Sequence, residues 1–351
     1  MDKGLLSLIL CVLMFSFSLL PLALTSDQSI NLEENIEPNK VVLQYNQSNT
    51  LGFQEGSIFS ETTVSIGQNH GCAILENDVM NCWGDNMDGQ LGSIETYDTR
   101  VWRPIRISNP EILPKQVSVG HDYTCAIIKD GSISCWGKND YGQIGDNTSE
   151  NRLVPTQTVA PYSFDRPAIA IDSGNSHTCS ILDNLSVQCW GSNSHGQIGY
   201  GAGSTGSYVP FRVQVWGLND SSVIAIAAGN YHTCVIIDNG EVKCWGWNNQ
   251  GQLGNGNTTN SDLPVSTVSL GIGKRAVAIT AGASHTCALL NDGTVKCWGD
   301  NSYQQLGFGS GTSQSSPVST LSLGSGSYAT SIASSYRHTC VTLNTGGISC
   351  W

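Results

Sequence analysis

The sequence is poor in charge, and especially in positive charge. Charged residues make up 13% of the 351 residues, roughly half of the usual share. Lysine and arginine number 16 against 28 aspartates and glutamates, which leaves a net charge of -12. A surface that binds duplex nucleic acid needs clustered cations to displace counterions from phosphates, and the sequence has no such cluster. Nucleic acid is therefore not an expected partner, and we interpret the acidic charge as an aid to solubility.

The sequence also lacks a sustained helical period and the common catalytic motifs. It contains no Gly-x-Ser-x-Gly elbow, no His-Glu-x-x-His pair and no phosphate-binding loop. Residues 201–206 match a dinucleotide glycine pattern and residues 85–89 resemble the start of a calcium loop, but neither has the required context. We therefore expect no enzyme activity, no cofactor and no metal, with dispersed catalytic residues as the alternative.

An apolar run near the amino terminus predicts export. Residues 4–24 follow Lys3 and are largely apolar, and small or polar residues suited to cleavage stand at the end of the run. Residues 1–26 are therefore predicted to be a secretory signal peptide. The alternative is that residues 4–24 stay uncleaved and anchor the chain in a membrane. In either case the protein is expected to be secreted or to lie in the cell envelope, where disulfides persist.

Cysteine is abundant, and its spacing shows a repeat. The chain has 13 cysteines, and all but Cys11 form pairs ten residues apart that recur every 53 to 55 residues. The pairs are Cys72 and Cys82, Cys125 and Cys135, Cys179 and Cys189, Cys234 and Cys244, Cys287 and Cys297, and Cys340 and Cys350. Self-similarity at this period indicates a repeat architecture over residues 62–351.

Each repeat predicts four short strands. In the copy that begins at residue 276, apolar runs broken by Gly, Asn and Asp predict strands at residues 276–281, 285–290, 294–299 and 317–321. Four-stranded units at this period predict an all-β fold, a β-propeller whose blades are the repeats. The chain holds five full repeats and a truncated sixth.

A separate segment connects the predicted signal peptide to the repeats. We interpret this segment, residues 27–61, as an N-terminal lead segment. Within it, residues 40–45 are a candidate strand that completes the final blade and closes the ring.

The segment between paired cysteines predicts a hairpin and a disulfide. In the second repeat a three-residue loop, residues 129–131, places Gly131 at the left-handed position that such hairpins need. Cys125 then lies opposite Cys135 at a separation suited to a disulfide. We predict one disulfide in each repeat; a zinc site is the alternative, which the ligand spacing disfavours. Leu185 replaces the glycine in the third repeat, so that hairpin is expected to be looser.

The repeat resembles that of a known family. Residues 276–307, AVAITAGASHTCALLNDGTVKCWGDNSYQQLG, follow closely the string A-x-G-x-x-H-T-x-A-L-x-x-D-G-x-V-x-x-W-G-x-N-x-x-G-Q-L-G of regulator of chromosome condensation repeats. The resemblance implies a seven-bladed propeller, so the missing blades are expected to lie beyond Trp351. Intracellular members generally carry apolar residues where the paired cysteines stand. The chain is therefore similar to a secreted, disulfide-containing version of this family.

Residues that recur in every copy are interpreted as scaffold. A histidine stands two positions before the first cysteine in five copies, and a tyrosine replaces it in the second. Such regular placement favours a structural hydrogen bond over a metal site. The tryptophan after each second cysteine is expected to pack between sheets. The recurrent asparagines and glutamines that follow are expected to satisfy backbone groups in the next turn.

Function is expected where the copies differ. The candidate binding rim is a set of residues in the loops after the third strands: Met87, Tyr141, His195, Trp247 and Tyr303. Aromatic side chains offer a large contact area at a low entropic cost. The leading hypothesis is a monomeric, non-catalytic propeller outside the cytoplasm that binds a partner protein through these loops. The alternatives are recognition of a carbohydrate or cell-surface ligand by the same aromatics, and enzyme inhibition, which the resemblance implies.

Overall fold

The computed structural model describes most of the repeat region. The described residues are 64–75, 78–94, 99–107, 112–160, 166–201, 207–218 and 221–351. The predicted signal peptide (1–26), the alternative anchor (4–24), the lead segment (27–61) and the candidate closing strand (40–45) lie outside the described residues. Within the described ranges, no helix is long and apolar enough to cross a membrane.

Twenty-three strands in the described residues form six antiparallel sheets. The first five sheets are β1–β4 (Val64–Ile66, His70–Ile74, Met80–Asp85, Arg100–Arg106), β5–β8 (Pro114–Val119, Tyr123–Ile128, Ile133–Gly137, Arg152–Gln157), β9–β12 (Ala168–Ser173, His177–Leu182, Val187–Ser192, Tyr208–Gln214), β13–β16 (Val223–Ala228, His232–Ile237, Val242–Gly246, Ser261–Ser266) and β17–β20 (Ala276–Ala281, His285–Leu290, Val295–Gly299, Gln314–Ser319). The sixth sheet has three strands, β21–β23 (Ala329–Ser335, His338–Leu343, Ile348–Cys350). The predicted all-β propeller is confirmed, whereas the expectation of seven blades is not, because the described residues form six sheets.

The sheets are arranged radially around an axis lined by their first strands. Each first strand contacts the first strand of the next sheet, in the order β1, β5, β9, β13, β17 and β21. The strands of each sheet follow in sequence order, so the fourth strand lies farthest from the axis. This is the arrangement of blades in a β-propeller, in which only short strand edges are exposed.

The fourth strands begin earlier than predicted, because the recurrent proline lies inside them. β20 spans Gln314–Ser319 rather than 317–321. Pro317 lies where the pairing with β19 shifts between Cys297 and Gly299. An outermost strand tolerates a proline at a bulge, because an N–H at this position would not take part in the hydrogen bonds between strands. The other three predicted strands of this copy agree with β17, β18 and β19 within one residue.

The expectation of a looser third hairpin is wrong. Leu185 has φ 65°, and its N–H donates to the carbonyl of Leu182 at 2.8 Å. Gly131, with φ 84°, makes the same bond to Ile128 at 2.8 Å. The hairpin therefore holds a leucine in the left-handed region, although this conformation costs an L-residue about 1–2 kcal/mol.

All six predicted disulfides are present. Each joins directly opposed residues of a second and a third strand, as in the pairing of Cys125 with Cys135, whose Cα atoms are 4.1 Å apart. Because each bridge closes only a short loop, it contributes about 3 kcal/mol at most. The bridges stabilise single hairpins and do not connect neighbouring blades.

Neighbouring blades are joined through a main-chain carbonyl. The carbonyl of Gln197 in the third blade accepts the indole N–H of Trp245 at 2.8 Å and the hydroxyl of Thr233 at 3.0 Å, both from the fourth blade. The fully buried Trp245 ring packs on Gly199, where an added Cβ would lie 2.8 Å from the indole nitrogen. The carbonyls of Gln90 and Gln252 likewise each accept a threonine hydroxyl and a tryptophan indole N–H from the next blade. The tryptophans therefore pack between sheets, as predicted.

We predict that Gly199→Ala destabilises the protein more than Gly273→Ala does. Both glycines have a left-handed backbone, with φ 72° and 70°, so both substitutions cost about 1 kcal/mol or slightly more. Only the Cβ at residue 199 meets Trp245, whereas nothing lies within 4 Å of one at residue 273. Overpacking adds about 1–3 kcal/mol. The measurement is the midpoint of urea unfolding, and equal losses in the two variants would contradict the packing of Trp245 on Gly199.

Candidate functional site

Two kinds of connection emerge on the same end of the propeller. Successive strands of a blade are antiparallel, so the turn between strands one and two lies at the same end as the loop between strands three and four. We call this end the upper face. The predicted rim residues lie in the third-to-fourth loops of this face: Met87, Tyr141, His195, Trp247 and Tyr303.

Buried amide side chains hold these loops in shape. In the second blade the side-chain oxygen of Asn139 accepts the N–H of Ile144 at 2.9 Å. That of Gln143 accepts the N–H of Tyr141 at 2.9 Å. Asn139 and Gln143 are buried, which confirms that the recurrent amides satisfy the backbone of the turn. The side chain of Tyr141 takes no part in this bonding and is 44% exposed at the tip.

A first aromatic cluster spans the third and fourth blades. The ring of His195 lies 5.3 Å from that of Tyr231 and 5.8 Å from that of Trp247. Tyr231 and Trp247 are themselves 5.8 Å apart, in an edge-to-face arrangement that aromatic quadrupoles favour. Burial lowers the pKa of His195, so the cluster is uncharged at neutral pH.

A second aromatic cluster spans the fifth and sixth blades. The guanidinium of Arg337 lies 4.2 Å from the ring centre of Tyr303 and 4.9 Å from that of Tyr336. Both rings are exposed, Tyr303 to 57% and Tyr336 to 39%. Cation–π contacts hold the guanidinium in place. Among the ion pairs between described residues, none involves Arg337, so its charge is available to a ligand.

The structure therefore divides the predicted rim. His195 and Trp247 meet in the first cluster, and Tyr303 belongs to the second. Tyr141 lies instead at a cavity near the axis. Met87 is 73% exposed in the loop of the first blade and belongs to neither cluster.

A cavity of about 390 Å³ opens on the upper face near the axis. We call it the axial cup. Its lining comes mainly from the turns between first and second strands, which converge because the first strands surround the axis. The described lining residues are Gln68, His121, Asp122, Lys138, Tyr141, Gln143, Asn175, Ser176, Asn230, Tyr231 and Tyr336.

An ion pair lies at one side of the cup. Nδ1 of His121 is 2.6 Å from a carboxylate oxygen of Asp122, whose other oxygen accepts a hydrogen bond from Asn69 at 3.2 Å. The hydrogen bond to Asp122 raises the pKa of His121. Burial alone would raise the pKa of Asp122, but the hydrogen bond and the charge of His121 outweigh it and lower that pKa. The pair therefore favours its charged form.

Sequence reasoning missed the groups that come from the first turns. Tyr231, Tyr336, Arg337, Asn175 and Asn230 occupy the two positions between the glycine and the histidine of each first turn, or their equivalents in the sixth repeat. These positions differ from copy to copy. The rule that pointed to the third-to-fourth loops would have found them if it had been applied to the first turns as well.

The recurrent histidines belong to the junction between blades. Nε2 of His232 lies 2.9 Å from the hydroxyl oxygen of Thr286 in the next blade, and that hydroxyl donates its proton to the carbonyl of Gln252 at 3.0 Å. A hydroxyl has only one proton, so His232 must donate from Nε2. The same contact occurs at His70, His177 and His285.

These histidines are held neutral. The Nδ1 atoms of His70, His177, His232 and His285 are buried and have no hydrogen-bond partner among the described residues. A second ring proton would therefore be buried without an acceptor, which is costly. Burial lowers the pKa of His70, His177 and His232 to about 3 and that of His285 to about 4. No group of three or more His, Cys, Asp or Glu side chains in the described part of the chain could hold a metal ion.

The fold and the junction define a propeller built from repeats of one kind. Two family models, both described as the regulator of chromosome condensation (RCC1) repeat, match this chain. One matches residues 62–90, 115–143, 168–197, 223–252 and 276–305. The other matches residues 82–127, 130–181, 186–236, 239–289 and 292–342. The protein belongs to the RCC1 repeat family, in a form that contains disulfides.

Known proteins share this repeat and fold. The ultraviolet-B receptor UVR8 of Arabidopsis thaliana is 30% identical over 292 residues, which are 82% of this chain and 64% of UVR8. This chain thus spans less than two thirds of that relative. Human WBSCR16 is similar in structure, with a TM-score of 0.71, 22% identity, and coverage of 80% of this chain and 71% of its own. Prp20p of Saccharomyces cerevisiae has a TM-score of 0.67 and 19% identity, covering 78% and 66%. These two structural similarities show that this chain has the same fold.

We predict that acid destabilises the protein through the junction histidines. Below pH 6.5 the unfolded chain takes up protons that the native histidines, with pKa values of about 3 to 4, do not accept. The free energy of unfolding then falls by about 1.4 kcal/mol per pH unit for each histidine. Asp172 acts in the opposite direction between pH 6 and 4, because burial raises its pKa to about 6. His121 and Asp88, whose pKa values are also raised, act in the same sense as Asp172, but both are only partly buried, whereas the four histidines are buried. The measurement is the urea midpoint at pH 7 and pH 5.

The variant His285→Gln tests the cause of this pH dependence. Its amide can still donate to Thr339, but it does not titrate. The urea midpoint of this variant should therefore vary less with pH than that of the natural protein, because one of the four buried histidines is missing. A midpoint that is the same at pH 7 and pH 5 in the natural protein would contradict the prediction.

Proposed function

We propose that this protein is a non-catalytic interaction scaffold outside the cytoplasm that binds a partner protein through its upper face. The observation that carries the proposal is the pair of aromatic clusters, which lie on one face and involve residues that differ between the repeats. The recurrent residues serve the junctions, whereas the variable ones are left to meet a ligand.

The two clusters have the composition of binding hot spots. Interfaces draw most of their free energy from a few aromatic and arginine side chains. Trp247 and Tyr231 are held in position by their edge-to-face contact, so little conformational entropy remains to be lost on binding. Arg337 is likewise stacked against Tyr303 and Tyr336 before any partner arrives.

The stacked arginine indicates the chemistry of the partner. A guanidinium presents a planar fork of donors that matches a carboxylate. Arg337 has no carboxylate partner among the described ion pairs. We therefore propose that an Asp, a Glu or a chain-terminal carboxylate of the partner meets Arg337 between the two tyrosine rings.

The disulfides support a location outside the cytoplasm. Twelve cysteines form six bridges, and such bridges persist in oxidising compartments. The predicted signal peptide, residues 1–26, agrees with this location. Protein binding by this fold has a parallel in yeast Prp20p, which has described binding properties toward Gsp1p and histones. The partner of the present chain is proposed to be a different, extracytoplasmic protein.

We predict that the double variant Trp247→Ala, Tyr303→Ala loses its partner. Immobilised natural protein is used to capture binders from envelope and culture fractions, and the binder is identified by mass spectrometry. Its affinity for the purified variants is then measured directly. Removing one anchor from each cluster should weaken binding at least tenfold, because a hot-spot side chain contributes about 2 kcal/mol or more.

The matched control is Ile272→Ala. Ile272 is fully exposed in the connection between β16 and β17, at the end of the propeller opposite the upper face. This variant should bind as the natural protein does. Unchanged binding by the double variant, with an unchanged circular dichroism spectrum and melting temperature, would reject the upper face as the binding surface.

A further inference from the structure

We infer that the axial cup binds a neutral saccharide, an activity separate from the protein binding proposed above. The cup is distinct from the two clusters in chemistry, although Tyr231 and Tyr336 border both. Its volume of about 390 Å³ falls within the range of small-molecule sites. It is open toward the upper face, so the end of a longer glycan can enter.

The described lining of the cup is polar and aromatic rather than aliphatic. No aliphatic side chain is found among the described residues that line the cup. The amides of Gln68, Asn175 and Asn230 come from three different blades, and each has N–H donors and an acceptor oxygen. One N–H of Asn175 donates to the hydroxyl of Ser176 at 3.3 Å, and its oxygen stays available. A sugar hydroxyl also donates and accepts, so converging amides can satisfy several hydroxyls of one ring. An apolar ligand would leave the remaining donors and acceptors of these amides without partners, which is unfavourable.

Three aromatic rings lie among the amides of the cup. Tyr141, Tyr231 and Tyr336 reach the cup from the second, fourth and sixth blades. The face of an aromatic ring is electron-rich, and the C–H groups on one side of a sugar ring are weakly positive. A pyranose can therefore lie against a tyrosine ring while its hydroxyls meet the amides. Tyr231 is held in place from behind by Trp247 and His195.

The charged side chains at the cup are paired with charges of opposite sign. His121 is paired with Asp122 at 2.6 Å, and Lys138 lies 3.6 Å from Asp140. The charges at the cup therefore compensate each other locally. An anionic or cationic ligand would have to compete with an existing partner, whereas a neutral ligand does not. This favours an uncharged saccharide over an acidic sugar or a nucleotide.

A peptide is a poorer occupant of the cup. Its main-chain amides could pair with the asparagines, but its side chains would need apolar pockets. Among the described residues, the lining offers tyrosine rings and no aliphatic pocket. A saccharide is therefore the expected ligand, and a peptide serves as a comparator in the test.

The test is titration of the purified protein with four neutral trisaccharides: maltotriose, cellotriose, mannotriose and chitotriose. Trigalacturonate is the anionic comparator and triglycine the peptide comparator. We expect at least one neutral trisaccharide to bind with a Kd of about 10 mM or below, measured by saturation-transfer NMR. It should bind at least tenfold more tightly than trigalacturonate and triglycine. Failure of all four to bind, or equal binding of either comparator, would overturn the inference.

The double variant Asn175→Ala, Asn230→Ala locates the binding. The fifth blade carries Ala283 at the position of Asn230, so this turn folds with alanine. Saccharide binding should weaken at least tenfold, whereas Asn249→Ala, an exposed asparagine of the same face outside the cup, should leave it unchanged. Equal binding by the double variant and the control would overturn the inference. Neither amide belongs to an aromatic cluster, so this result is independent of the partner-protein assay.

Discussion

The main-chain carbonyl of a glutamine, shared by a threonine hydroxyl and a tryptophan indole of the next blade, is the contact on which the propeller depends. At Gln252 these bonds come from Thr286 and Trp298, and His232 completes the group by donating to the threonine. Every member is buried, so a small rotation of one blade would leave several polar groups unsatisfied. The junction therefore fixes the angle between blades, which in turn decides which turns and loops meet on the upper face.

The disulfides and the junctions act at different levels of the structure. A bridge such as Cys234 to Cys244 connects two strands of one blade across ten residues, and it limits the freedom of a hairpin that the chain already forms locally. The junction at Gln197 joins residues that are 36 and 48 positions apart. The disulfides thus stabilise individual blades. Hydrogen bonds and the packing of tryptophan on glycine hold the blades in their arrangement around the axis.

Features that depend on local sequence were predictable, and those that depend on the blade angle were not. The strands β17 and β18, the glycine turns and the disulfide register follow from patterns within one repeat. The fit of Leu185 into a glycine position was not predictable, because the closed hairpin overrides a local preference. In the candidate site, the loop positions of His195 and Trp247 could be read from the sequence. Their contact with Tyr231 could not, because it joins two blades whose relative rotation the junction sets.

The same junction explains why the upper face is free to vary. In the fourth blade Gly229 must lack a side chain, since an added Cβ would lie 2.2 Å from the ring of His232. The two positions between them, Asn230 and Tyr231, carry no such restriction, and the fifth blade has alanine and serine there. Substitutions at these positions change the chemistry of the axial cup without disturbing the contacts that hold the blades. A scaffold with this division can change the residues of its upper face at little cost in stability, because the contacts that join the blades are made by other side chains.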